Sequence, residues 1–173
     1  MNNYYKIGRL VASFGLNGQL ILQHNLGKKT SLKGLENIFI EEIKDSFLPY
    51  FIESSKIKND KEVYVKLVGI SVKEATRHLI KKDVWLSEND FKKFAANSAP
   101  ISFLGFMVVN ANEEIGEVIE VIEQPHQVLC KIIFNGKEAL IPLHENSFEK
   151  SDKKNRRLFV NLPEGLLDLY KDV

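Results

Sequence analysis

With 173 residues, 44% of them hydrophobic and 27% charged, the chain has the composition of a globular protein and the length for one large domain or two small ones. A formal charge of +1 argues against a protein whose affinity rests on bulk attraction to phosphate, and a single cysteine, Cys130, excludes a disulfide framework and a cysteine-based metal site. The start, MNNYYKIGR, lacks the apolar core of a secretory signal, and no apolar run approaches the roughly eighteen residues that span a bilayer, so no membrane association and a reducing, cytoplasmic setting are expected.

In chain order, Tyr5 to Ser13 reads as a strand, Phe14 to Gly18 as a sharp turn carrying glycines at 15 and 18, and Gln19 to Leu22 as a second strand. Asn25 to Lys33 is polar, carries Lys28, Lys29 and Lys33, and reads as a loop with a possible functional role. Strands follow at Ile38 to Glu41 and Leu48 to Glu53 around a turn at Lys44 to Ser46, and again at Glu62 to Val68. Short strands with no helix between them suggest a closed antiparallel barrel, because closure removes exposed edges. At Ser71 to Glu74 the period changes: a capping-box pattern precedes Val72, Ala75, Thr76 and Leu79, one apolar face of a short helix whose other face carries Lys73, Arg77 and Lys81. Asp83 to Leu86 returns to strand, and Ser87 to Asp90 is a second cap signature, launching a helix from Phe91 to Ala96.

The run from Ala95 to Pro100 is small and turn-prone and ends in a helix-incompatible proline, so it reads as a seam. The expected organisation is a domain over residues 1–94, a linker over 95–101 and a second domain over 102–173. The second opens on Ser102 to Ile122, read as a strand, a polar turn at Asn110 to Glu114, and a strand opening on Gly116. Gln127 to Phe134 and Lys137 to Ile141 form a hairpin about Asn135-Gly136, with Pro142 ending the second strand. Glu149 to Arg157 is highly charged, Arg157 to Leu162 is a last strand, and a terminal turn from Pro163 sets Leu166, Leu167 and Leu169 to plug one end of a second barrel.

Little here points to catalysis. His24, His78, His126 and His144 lie far apart with no metal-spaced partner, so no metal site and no cofactor are expected. Glu41-Glu42 and Glu113-Glu114 are neighbours that face opposite ways on a strand or sit solvated in a turn. Gly15 and Gly18 lack the Lys-Ser/Thr tail of a phosphate cradle and open a strand instead of a helix. Cys130 lies in an apolar run and reads as an inert buried thiol. Binding is better supported. Arg77, His78, Lys81 and Lys82 put charge on and just after the first short helix, and Lys153, Lys154, Arg156 and Arg157 cluster near the C-terminus, where each Lys or Arg can contact phosphate. Either cluster also fits a solvated face. Phe14 at its turn fits base stacking, insertion into a protein pocket, or the plug of a barrel mouth.

An ordered set of short motifs runs through nearly the whole chain. It comprises Ile7 to Val11, Phe14 to Leu20, Lys66 to Ile70, Lys73 to Ala75 with Leu79, Leu104 to Phe106, Gly116 to Val118, Ala139 to Pro142, and Leu162 to Leu167. No piece is specific alone, but together they resemble the bacterial ribosome maturation factor RimM family from about Ile7 to Leu169. The resemblance implies a mostly β fold of two small barrels with short helices: an N-terminal six-stranded barrel similar to those of translation factors, and a C-terminal PRC barrel. It implies an assembly factor for the head of the small ribosomal subunit, one that assists 16S rRNA maturation and docks to a head ribosomal protein, the S-nineteen protein; the residue survey gives a factor without catalysis, and a monomer is the default at this size. The RNA- or ribosome-binding candidates are Phe14, Gly15, Gly18, Lys28, Lys29, Arg77, Lys81, Lys82, Lys153, Lys154, Arg156 and Arg157. The family's usual histidine before the first turn glycine is Phe14 here, and its usual tyrosine pair, implicated in protein docking, is replaced by Ser98-Ala99-Pro100. Docking candidates are therefore Ser98, Ala99, Pro100 and Phe103. Two other classes remain open: a small-molecule or flavin-binding barrel enzyme, and a pure protein-interaction module.

Overall fold

The computed structural model describes residues 3–171 and divides the chain into two compact units, residues 1–99 and 100–173. Both are built mainly of antiparallel strands.

In the first unit the strands are β1 (Tyr4–Phe14), β2 (Gln19–His24), β3 (Asn37–Ile43), β4 (Ser46–Ile57), β5 (Glu62–Leu67) and β6 (Asp83–Ser87). They pair in the order β1-β2-β5-β4-β3-β6, and β6 returns to β1, closing the barrel. Alternation decides which residues fill it: Ile7, Leu20, Leu22, Ile38, Ile40, Val63, Val65, Leu67, Val84 and Leu86 are all fully buried. Each such side chain contributes about 1.5–3 kcal/mol. Helix α1 (Glu88–Phe94) follows the second cap signature, but it begins directly after Ser87 and stops at Phe94, short of Ala96, because Ala95 is extended; the Ser87 hydroxyl accepts from Asp90 N at 3.3 Å, and Phe91 is buried, its ring meeting Tyr5 edge-on at 5.0 Å.

The first cap signature does not operate. Lys73–Thr76 is a 3-10 helix whose N-cap is Val72, extended at φ −133° and without a side-chain cap bond. A single tight turn suffices because only Thr76 and Leu79 find core to enter, while Val72 stays 49% exposed.

In the second unit the strands are β7 (Met107–Asn110), β8 (Glu113–Gln124), β9 (Gln127–Phe134), β10 (Lys137–Leu143), β11 (Phe148–Asp152) and β12 (Arg157–Val160). The sheet order is β10-β9-β8-β7-β12-β11, with β12 parallel to β7. Several expectations change here. The opening strand begins at Met107, since Pro100–Phe103 is a 3-10 helix that buries Ile101 completely. Its partner begins at Glu113, and Gly116 instead lies beside a register shift opposite Val108, where a Cβ would stand 2.8 Å from Ile133 O. The charged stretch after Ser147 holds β11, an edge strand whose outward residues meet water, which is why its composition disguised it. Pro142 does not end β10, which continues to Leu143; an edge strand tolerates the missing N–H. Leu169 is 76% exposed, so it plugs nothing. The short helix carrying it, Leu167–Tyr170, lies along β10, where the Tyr170 hydroxyl accepts from Leu140 N at 3.3 Å. Asn135 and Gly136 both take positive φ, 49° and 78°, as the expected tight hairpin requires.

Candidate functional site

In the first unit the turn from Phe14 to Gly18 and the segment from Lys66 to Arg77 are one structure. Leu16 O accepts from Lys73 N at 3.1 Å, and Asn17 O accepts from the Lys66 ammonium at 2.9 Å. Gly18, at φ +77°, lies so close to this segment that a Cβ would stand 2.5 Å from Ile70 O. Gly15, at φ +66°, faces open space. The glycines therefore have different duties: Gly15 supplies only conformation, whereas Gly18 also permits contact.

This docking sets Phe14 and Leu16 beside the segment that carries Val68, Val72, Lys73 and Arg77. Phe14 is 48% exposed and packs its ring on Tyr64 at 4.6 Å, so it is not the barrel plug. Leu16 and Val68 are exposed as well. The turn and the segment docked on it thus leave Phe14, Leu16, Val68 and Val72 exposed, with Lys73 and Arg77 nearby in the chain, an apolar ridge of the composition that contact surfaces have. Sequence reasoning missed Leu16, Val68 and Val72. An apolar residue between two turn glycines was the available signal for Leu16; the other two needed the loop's position.

The remaining basic candidates of this unit are not part of that ridge's hydrogen bonding. Lys81 lies at φ +71° with its N–H on Leu10 O, and the Lys82 ammonium donates to Glu42 O at 3.1 Å, which ties it to backbone. Lys28 and Lys29 stand exposed on the β2–β3 loop.

In the second unit Lys153 to Arg157 form the β11–β12 turn and its exit. Asp152 organises it: its carboxylate accepts from Asn155 N at 3.0 Å and from Asn155 Nδ2 at 2.8 Å, and these bonds hold the carboxyl below its usual range. Arg156, at φ +53°, turns inward, donating to Leu104 O at 3.3 Å with its guanidinium 5.9 Å from the Phe106 ring centre. Arg157 pairs with Glu114. Of the four cations, Lys153 and Lys154 thus stand at the exposed turn, while Arg156 is a structural strut.

The docking candidates divide between the units. Ser98 is exposed, but Ala99 is buried, with its Cβ against Gly27, and is not available to a partner. Pro100 and Phe103 belong to the 3-10 helix that opens the second unit, where Phe103 is half-buried between Phe106 and Phe148.

For catalysis the geometry offers little. Burial pushes the Cys130 thiol up to about 12, leaving it protonated and unreactive near neutrality. Among the described residues no three His, Cys, Asp or Glu side chains are grouped to hold a metal ion. An open concavity beside the β8–β9 turn is lined by polar groups including His126, Gln127, His144 and Glu145, unlike the apolar enclosures that small cofactors favour. Among the described residues no helix is long and apolar enough to cross a membrane.

Comparison with known proteins supplies what geometry alone does not. The RimM N-terminal domain model matches residues 5–91, half of the chain, and the RimM PRC barrel domain model matches residues 100–166. The chain belongs to the RimM family. Similar proteins include the ribosome maturation factor RimM of Parabacteroides distasonis, 32% identical over 95% of this chain and 96% of that protein. That of Christiangramia forsetii is 28% identical over 96% and 95% respectively. A solution structure of the N-terminal domain of RimM from Thermus thermophilus covers 51% of this chain and 93% of its own, at 22% identity and a TM-score of 0.40. The two RimM models fall on the two structural units in turn, the first on the closed barrel and the second on the sheet that begins after Pro100.

Proposed function

We propose that this chain is a non-catalytic assembly factor that binds the head of the immature small ribosomal subunit in the cytoplasm. It contacts 16S rRNA and a head ribosomal protein, the S-nineteen protein, and assists 16S rRNA maturation. The observation that carries the proposal is the match of both RimM domain models, which together span residues 5–166 with only a short gap. Two kinds of surface support it. The ridge of Phe14, Leu16, Val68 and Val72 suits a desolvated contact, and the turn at Lys153 and Lys154 suits phosphate. Ser98, Pro100 and Phe103 are the protein-docking residues, in a mode altered by the loss of the tyrosine pair.

No bond need be made or broken for such a factor to act. A protein that binds one conformation of a maturing subunit better than another shifts the population by its differential affinity, about 1.4 kcal/mol for each factor of ten. Two units on one chain make the second contact intramolecular, which raises avidity.

Co-sedimentation of the purified protein with immature and with mature small subunits, at low and high salt, tests the proposal. Selective association with immature subunits is the expected result. Equal association with both, or with neither, removes it.

A further inference from the structure

The connection from β2 to β3 forms no strand or helix of its own, yet it is held like core. Leu26, Leu32 and Leu35 are 0%, 1% and 5% exposed. Leu26 O accepts from Ala96 N at 2.8 Å, Ser31 O accepts from the Ser55 hydroxyl at 2.6 Å, and Leu32 O accepts from Leu35 N at 3.0 Å. The Thr30 hydroxyl accepts from Leu32 N at 3.0 Å. Gly27, at φ +82°, packs on the Ala99 Cβ with no room for a side chain. Leu32 itself sits at φ +59°, where a non-glycine residue is held at a cost of about 1–2 kcal/mol. Burial of its side chain, about 1.5–3 kcal/mol, offsets that strain. A long ordered loop that maintains a strained backbone has been shaped for more than connection.

What this anchoring presents is charge. Lys28, Lys29 and Lys33 are all exposed on the loop's outside, and no acidic residue occurs from Asn25 to Leu35. Among the described residues none of the three makes an ion pair, whereas Arg9 shares Asp83 with Lys6, Lys58 pairs with Glu62, Lys66 with Glu53, and Lys92 with Glu88. The loop carries no aromatic side chain on which a base could stack and no arginine fork with which to read a base edge. Compact ammonium groups on a fixed backbone suit phosphate oxygens, and contact then costs the rotamer freedom of the lysine stems but little backbone entropy.

We infer that the Asn25–Leu35 loop is a preformed grip for the sugar–phosphate backbone of RNA, with Lys28, Lys29 and Lys33 as its contacts. The inference rests on the proposal that the chain works on an immature subunit, and it assigns the closed barrel a direct RNA contact that reads charge and not sequence.

The test is the affinity of wild-type protein and of the triple variant K28Q/K29Q/K33Q for immature small subunits across a series of salt concentrations, and for protein-free 16S rRNA in parallel. Each lost phosphate contact lowers the slope of log affinity against log salt by about 0.7 on single-stranded RNA. The variant's slope should fall by about 2 on both probes, and its affinity near 0.1 M salt by about 100-fold. Glutamine removes the charge and leaves a shorter, polar side chain at positions that are exposed, and an unchanged melting temperature confirms that the loop is intact. Wild-type binding with an unchanged slope in the variant overturns the grip while leaving the assembly role standing. A loss confined to whole subunits, with protein-free rRNA bound alike by both proteins, also overturns it and assigns the lysines to an acidic protein. Failure of wild-type protein to bind either probe removes the assembly role itself.

Discussion

Gly18 offers the sharpest test of how the first unit is held together. Replacing it with alanine adds one methyl group at φ +77°, where the backbone conformation alone costs about 1–2 kcal/mol. The same replacement at Gly15, φ +66°, meets that cost and no other, because nothing stands within 4 Å of the new Cβ. At Gly18 the new Cβ meets Ile70 O at 2.5 Å, and the obstacle is backbone, so the turn and the 66–77 segment must separate. That motion weakens the bond from Lys73 N to Leu16 O and the one from Lys66 to Asn17 O, at about 0.5–1.5 kcal/mol each. Gly18→Ala should therefore destabilise the unit by about 3 kcal/mol and Gly15→Ala by about 1, a difference of roughly 10 °C in melting temperature for a domain of this size. The chain's single tryptophan, Trp85, lies in β6 of this unit, so its fluorescence during thermal unfolding reports the barrel without contribution from the second unit. Equal losses for the two variants would refute the packing role given to Gly18.

Further outcomes follow from other sites. Arg156→Ala should destabilise the second unit by about 1–3 kcal/mol, since it removes a charged hydrogen bond to Leu104 O and the contact with Phe106, whereas Lys154→Ala should leave the melting curve unchanged and only reduce the salt dependence of subunit binding. Burial, and secondarily Lys61, lowers the His24 pKa below its ordinary value of 6.5. The unfolded chain then binds the proton more readily, so barrel stability is full above about pH 6.5 and declines as pH falls below it; His24→Gln should flatten that decline in denaturant titrations at a series of pH values. Cys130 should resist thiol reagents at pH 8 in the native state and react promptly once denatured, as mass measurement of adducts would show.

The strands of the barrel were legible because a closed antiparallel sheet imposes a period of two that Val63, Val65 and Leu67 display with polar or aromatic residues between them. Asn135-Gly136 was legible for a different reason: two successive positive φ angles admit few residue pairs. Failures came where local pattern competed with position. Ser71 to Glu74 carries the right side chains for a capping box, but the chain enters extended at Val72 and leaves after one tight turn, so the pattern never meets a helix start. The edge strand β11 shows no apolar alternation because it has a partner on only one side and faces water. The candidate residues divided similarly. Their charges could be read from the chain, but not that Arg156 turns inward, that Ala99 is covered by Gly27, or that Lys82 is tied to a backbone carbonyl.

Net charge conceals how the charges are distributed over the fold. The chain holds 24 lysines and arginines against 23 aspartates and glutamates, and by sum it has almost no field to offer. The fold redistributes that balance. Asp83 is shared by Lys6 and Arg9, Lys131 sits between Glu120 and Glu138, and Arg157 faces Glu114, so many of the opposite charges are consumed in pairs. Exposed pairs of this kind add about 0–1 kcal/mol to stability, so their larger effect is to neutralise the surfaces on which they lie. The lysines of the β2–β3 loop escape this pairing, and the leucines beneath them keep them in place. In the inferred grip, a near-neutral protein organised in this way holds its charge for phosphate on a loop anchored by buried leucines. Such an arrangement favours an RNA whose phosphates are already arrayed to match the loop, and so discriminates between folded states of the RNA instead of between sequences.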